Sequence, residues 1–232
     1  MKLLSSVAII IPAFNEEMVI EETIKTVRKF CKTLKYSPID VIVVDDGSSD
    51  NTRKIATKSA DYVVFHRRNC GLGASLATGI EFAKRNGYEY CITFDADGQH
   101  DPRDIGKALK KLKEGYDVVV GSRFLGTSSD MPRNRQLILK ASNLVTWIFF
   151  AVRATDSQSG FRGLSKQAID AIRLKSNRME VSSEFFGEIR RLRLKFTEIP
   201  IHIRYTPYSL KKGQKNTHSI GVFIKLIYKL FS

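Results

Sequence analysis

The sequence predicts an α/β protein with a mainly parallel sheet covered by helices on both faces. Five apolar, β-branched runs recur between Val7 and Val120, and helical patterns separate them. The chain has 232 residues, 43% of them hydrophobic and 27% charged, which excludes disorder and low-complexity scaffolds and allows one large core.

Val7–Ile11, Val41–Val44, Tyr62–Phe65, Tyr90–Phe94 and Val118–Val120 each read as a buried strand bounded by turn residues. Ile20, Ile24, Val27, Cys31 and Leu34 recur at three- and four-residue spacing, predicting an amphipathic helix that Asn15 caps. Helices follow over Asn51–Ser59, Gly73–Asn86 and Asp104–Glu114, the last two stopped by Gly87 and Gly115. Beyond Gly121, Leu137–Val152 is a strongly apolar helical pattern carrying Trp147, Phe149 and Phe150, with Lys140 and Arg153 near its ends. A polar loop (Thr155–Gly163) and two shorter helices (Lys166–Arg173 and Ser183–Leu194) come next. Ile199–Tyr205 alternates like a half-exposed edge strand. No repeat or linker is visible, so residues 1–218 read as one catalytic domain and 219–232 as an appended amphipathic helix.

Thirty-eight basic against 24 acidic residues give a net charge of +14, which favours an anionic partner. From Ile199 to Ser232 there are six Lys or Arg and no Asp or Glu, among many Ile, Leu, Phe and Tyr. That mixture suits a membrane surface better than nucleic acid, for which the chain has no recognisable motif. Cys31, Cys70 and Cys91 are odd in number and widely spaced, which argues against a disulfide framework or a cysteine zinc site and for a reduced compartment. Met1 to Ser6 is too short for a cleavable signal sequence.

Ligands of parallel α/β sheets sit at the carboxyl ends of the strands, and three such ends are polar. Ile11-Pro12-Ala13-Phe14-Asn15-Glu16-Glu17 closes the first strand and by itself reads as a capped turn. Val44-Asp45-Asp46-Gly47-Ser48-Ser49-Asp50 closes the second. Asp50 reads as a helix cap, and Asp46 as an acceptor for ribose or base. Asp95-Ala96-Asp97-Gly98-Gln99 closes the fourth as a cluster of oxygen ligands of the kind magnesium and manganese favour. His100 is a further candidate ligand, read here as an exposed turn histidine. Gly71-Leu72-Gly73 fails the dinucleotide fingerprint, because the third glycine would fall at Leu76.

The Val7–Glu17 segment, Val43–Asp50, Asp95–His100 and Gly121-Ser122-Arg123 together resemble the family-2 glycosyltransferases, and in order and spacing the polyprenyl-phosphate hexosyltransferases. The resemblance implies a GT-A, Rossmann-like fold, a nucleotide-sugar donor and a Mg2+ or Mn2+ cofactor. It implies that Pro12, Phe14, Glu16, Val44 and Asp46 bind the nucleoside. Asp95, Ala96 and Asp97 would lie against the sugar diphosphate, with Asp97 and Gln99, joined by Asp95, as metal ligands. Arg123 would reach the donor phosphates or sugar and share the catalytic role with Asp95 and Asp97. Arg204, Lys212 and Lys215 resemble a basic segment closing over the diphosphate. Gln158, Ser159 and Arg162 match the acceptor-side segment, and Glu180 and Glu184 follow where relatives carry acidic residues.

The implied acceptor is a polyprenyl (dolichyl) phosphate; a saccharide or cell-surface polymer is the rival. Ser219–Phe231 is too short to span a bilayer, and its lysines Lys225 and Lys229 share one face, as in an interfacial helix. Leu137–Val152 reads equally as a second interfacial helix or as core. These features place the protein at a membrane, on its cytoplasmic face, and leave room for a membrane-protein partner or transmembrane helices beyond this sequence.

Overall fold

The structure is a computed structural model that describes residues 5–126 and 131–204. Lys212, Lys215 and the helix expected over 219–232 lie outside the described residues.

The first half alternates strictly: β1 (Val7–Ala13), α1 (Ile20–Cys31), β2 (Ile39–Asp45), α2 (Thr52–Ser59), β3 (Tyr62–Phe65), α3 (Leu72–Arg85), β4 (Tyr90–Thr93), α4 (Arg103–Lys113) and β5 (Val118–Ser122). Then come α5 (Arg133–Phe150), β6 (Arg162–Ser165), α6 (Lys166–Ala171), α7 (Val181–Leu192) and β7 (Phe196–Pro200). The strands form one sheet in the order β3-β2-β1-β4-β6-β5-β7. Strand β6 runs antiparallel to both neighbours, and the other pairings are parallel.

Alternate residues of β1 enter opposite cores. Ile9 and Ile11 pack with Ile24 and Val27 of α1 and Leu109 of α4. Ala8 and Ile10 pack with Ile80 of α3, Ile169 of α6 and Phe185 of α7. Burial on both faces is why these strands read as continuous apolar runs. Gly87 and Gly115, at φ +71° and +92°, stop α3 and α4 as predicted. In each case the glycine N–H and the next N–H bond back to helix carbonyls, of Lys84 and Ala83 and of Leu112 and Lys111.

Four expectations are corrected. Strand β3 is the sheet edge, with Tyr62 and Phe65 exposed rather than buried. Asn15 does not cap α1, which starts at Ile20; it takes φ +54° and bonds to Ser48 and Ser49. Strand β6, read as loop, lacks an apolar run and owes its extended form to strands on both sides. The last strand begins three residues and ends five residues earlier than expected, although Ile199, Ile201 and Ile203 do turn inward.

Candidate active site

The sheet order reverses at β1, whose neighbours β2 and β4 leave it in opposite directions; ligands of such folds bind at that crevice. Three loops converge there. After β1, the Asn15 and Glu16 amides donate to Ser48 Oγ and Thr52 Oγ1 at 2.9 and 2.7 Å, joining this loop to the one after β2. Asp50 accepts from Thr52 N at 2.9 Å, close to its expected capping role. Asp46 is buried, and its carboxylate accepts from Cys70 N at 2.9 Å and Gly71 N at 2.7 Å, with His66 Nδ1 at 2.7 Å. Val44, expected beside the base, has its side chain wholly inside the core. Pro12 and Glu16 are half-buried and Phe14 is exposed.

The third loop follows β4. Ala96 O accepts from Thr23 Oγ1 of α1 at 3.0 Å, and Asp97 Oδ1 accepts from Gln99 N at 3.1 Å. His100 is not an exposed turn residue. It is buried between Phe94 and Phe161, with Nε2 3.0 Å from Asp95 Oδ2. Burial alone would raise the Asp95 carboxyl, but the His100 hydrogen bond and the His100, Arg123 and Arg162 charges hold it below the ordinary range. Burial would likewise lower the His100 imidazole; the bond to Asp95 and the two aspartate charges raise it instead. The Asp97 carboxyl is pushed up to about 6 by burial, then by the Asp95 charge. Two close carboxylates and an amide are an all-oxygen donor set, and a divalent cation relieves the repulsion that raises Asp97. The residues therefore fit magnesium or manganese.

The loop before β6 closes the other side. A Cβ on Gly160 would lie 2.4 Å from Asp95 Oδ1, so only glycine lets this loop approach the carboxylate. Asp156 is fully buried and binds Arg123 through both oxygens, to Nε and Nη2 at 2.6 Å each. Glu198 of β7 secures the same loop, accepting from Thr155 N at 2.9 Å and Asp156 N at 3.2 Å. Among the described residues Arg162 is the largest wholly buried side chain, stacked 4.4 Å over the Phe185 ring, and its Nε and Nη2 have no hydrogen-bond partner there. Burial lowers its pKa to about 10.

The loops after β4 and β5 and before β6, with α3, α5 and the start of α7, line a cavity of about 250 Å³, and none of its described wall residues comes from the loops after β1 and β2. Asp95, Asp97, Gln99, Arg123, Gln158, Ser159 and Arg162 line it, as predicted residues that the fold does bring together. Leu72, Leu76, Arg135, Ile138, Leu139 and Met179 lie on the same wall, and the sequence alone did not single them out. Arg204 reaches the site through its backbone N–H, which donates to Gln99 O at 3.0 Å. Glu184 is outside the cavity wall, accepting from Lys175 N and Ser176 N at 2.8 Å each, and Glu180 lies outside the wall at the start of α7.

The model of family 2 of the glycosyl transferases matches residues 8–173, most of the sheet and all three loops. The chain belongs to glycosyltransferase family 2. This glycosyltransferase is 41% identical over 224 residues to an uncharacterised protein of Methanocaldococcus jannaschii, covering 94% of this chain and 90% of that one. It is 30% identical over 241 residues to the UDP-N-acetylglucosamine–dolichyl-phosphate N-acetylglucosaminyltransferase of Methanococcus voltae, covering 94% of each. A dolichol-phosphate mannosyltransferase of Pyrococcus furiosus is 29% identical, with 97% of this chain and 63% of that one covered. Among solved structures, the glucosyl-3-phosphoglycerate synthase of Mycobacterium tuberculosis superposes with a TM-score of 0.72 at 17% identity, over 97% of this chain and 79% of that one. That likeness establishes the GT-A fold; the same synthase has been solved with Mn2+, UDP and phosphoglyceric acid.

Proposed function

We propose that this glycosyltransferase moves one hexose, mannose or glucose, from GDP-mannose or UDP-glucose to a polyprenyl (dolichyl) phosphate at the membrane surface. The observation that carries the reading is Arg162. A buried guanidinium with unpaired N–H groups is costly unless an anion meets it. Arg123 is already neutralised by Asp156, so Arg162 is the arginine suited to the phosphate of an acceptor. Leu72, Leu76, Ile138 and Leu139 on the same cavity wall suit an isoprenoid tail.

A phosphomonoester is largely dianionic at neutral pH, its second pKa being about 6, so the attacking oxygen requires no general base. Asp156, a candidate base for a neutral hydroxyl acceptor, is fully buried and held in an ion pair with Arg123, which makes it a poor base. That favours a lipid phosphate over a saccharide. Pro12, Phe14, Glu16 and Asp46 border the nucleoside, and Arg204, Lys212 and Lys215 belong to the donor-phosphate side. Asp97 and Gln99, with Asp95, would hold Mg2+ or Mn2+, which would supply neutralisation of the departing diphosphate. Attack from the acceptor side, opposite the leaving group, inverts the anomeric centre.

Helix α5 supports a membrane setting. Leu137 and Ile148 are 69% and 62% exposed, and Leu144 and Trp147 share that face. The Arg153 guanidinium lies 5.0 Å from the Trp147 ring centre. Apolar residues edged by cations suit a helix lying in the headgroup region. No helix among the described residues is long and apolar enough to cross a membrane.

A transfer assay tests the reading, using purified protein, labelled GDP-mannose, UDP-glucose or UDP-N-acetylglucosamine, and a polyprenyl phosphate. Label is expected in the lipid phase with Mn2+ or Mg2+, not with EDTA, and reduced at least about a hundredfold by Asp97→Ala. Arg162→Gln is expected to raise KM for the lipid phosphate while donor binding stays unchanged. Donor binding without any lipid product would move the acceptor elsewhere.

A further inference from the structure

Where the ends of β2 and β3 meet the start of α3, three side chains of metal-ligand type converge. One ligand atom from each of Asp46, His66 and Cys70 falls within 4.8 Å of the others. At present Asp46 Oδ1 and His66 Nδ1 share a hydrogen bond of 2.7 Å and Cys70 Sγ donates to Arg68 O at 3.3 Å, and an ion about 2.0–2.3 Å from each ligand atom would replace those two bonds. The cluster is already held in place. Backbone N–H groups of Cys70 and Gly71 donate to the two Asp46 oxygens at 2.9 and 2.7 Å, and His66 Nε2 lies 2.9 Å from Thr78 Oγ1.

The Thr78 hydroxyl both donates and accepts, so it serves either imidazole tautomer. With the proton on Nδ1, His66 donates to Asp46 and Thr78 donates to Nε2. With the proton on Nε2, His66 donates to Thr78 and Nδ1 is bare. The second arrangement is the support that a metal-bound histidine ordinarily uses. The cluster can thus exchange the proton between Asp46 and His66 for an ion without leaving either ring nitrogen unpaired.

We propose that Asp46, His66 and Cys70 form a cation site for a thiophilic divalent ion of the zinc type. A carboxylate oxygen, an imidazole nitrogen and a thiolate are a borderline-soft set, unlike the all-oxygen turn of Asp95, Asp97 and Gln99. On binding, one bond forms from each ligand atom to the ion. The Cys70 thiol proton leaves to solvent, the imidazole proton passes from Nδ1 to Nε2, and no electron is transferred. Cys70 is only partly buried, which gives the ion a way in and leaves a fourth position for water. An ion there fastens residues 66–71 to the end of β2, immediately before Leu72 and Leu76 of the cavity wall.

The test is a cadmium titration of the full chain at neutral pH, followed by thiolate-to-metal charge-transfer absorption. The charge-transfer band is expected to report one equivalent, with zinc abolishing it and magnesium failing to. The absorption should vanish in Cys70→Ser and persist in Asp97→Ala. Affinity should fall about 10–100-fold in Thr78→Val, and at least as far in His66→Gln. Cys31 and Cys91 are buried, with thiols pushed up by burial, Cys31 to about 12, so neither supplies the signal. No absorption at saturating cadmium, a band that survives Cys70→Ser, or an affinity untouched by His66→Gln would each overturn the proposal. Loss of the band in Asp97→Ala would also overturn it, by assigning the ion to the carboxylate turn.

Discussion

At Asp97, burial and a neighbouring charge hold the carboxyl at about 6 in the folded protein, against an unfolded value near 3.9. Between those values the folded state binds a proton that the unfolded chain does not. Stability without metal therefore falls as pH rises through roughly 4 to 6, by about 1–3 kcal/mol. Denaturant midpoints measured in EDTA across that window should show the decline, and Asp97→Asn should flatten it. A wild-type profile as flat as the variant's would show that Asp97 titrates normally. Asp156 offers a second residue-scale case. It is fully buried against Arg123, so Asp156→Asn leaves a charged guanidinium poorly paired and should lower stability by about 3 kcal/mol or more. His100 shows the limit of residue-by-residue reading. Its sequence neighbours look like a turn, and only Phe161, sixty-one positions away, reveals that its ring is enclosed.

Among the elements, those legible in the sequence were the ones whose signal is local. Apolar runs buried on both faces gave β1, β2, β4 and β5, and glycines that only left-handed backbone explains gave the ends of α3 and α4. The carboxylate turn was legible for the same reason, since its residues are contiguous and leave a strand end. Strand β6 was not, because Arg162-Gly163-Leu164-Ser165 becomes extended only between β4 and β5. Nor were the Asp156–Arg123 pair, which joins the loops after β5 and before β6, and the Arg135, Ile138 and Leu139 wall, which depends on how α5 docks. Helix α5 itself carries a prediction at this scale. Leu144 and Ile148 project from the protein, so Leu144→Glu with Ile148→Glu should leave the unfolding midpoint nearly unchanged and weaken vesicle binding. A large loss of stability in that variant would mean instead that the face is packed.

The whole molecule combines a net charge of +14 with that apolar face, and the two act over different ranges. Charge attracts the protein to anionic headgroups from a distance set by ionic strength, about 10 Å at 0.1 M salt and about 3 Å at 1 M. Apolar insertion works only at contact and is indifferent to moderate salt. Sedimentation with vesicles should separate them. On vesicles rich in anionic lipid, binding should drop at least about tenfold between 0.05 and 0.5 M salt. The Leu144→Glu, Ile148→Glu variant should bind more weakly at both concentrations yet keep the same proportional salt dependence, because its overall charge remains strongly positive. If salt abolished wild-type binding entirely, charge alone would hold the protein at the surface and α5 would have no part. If salt had no effect, the basic excess would serve the donor and acceptor phosphates rather than the bilayer, and substrate KM values would carry the salt dependence instead.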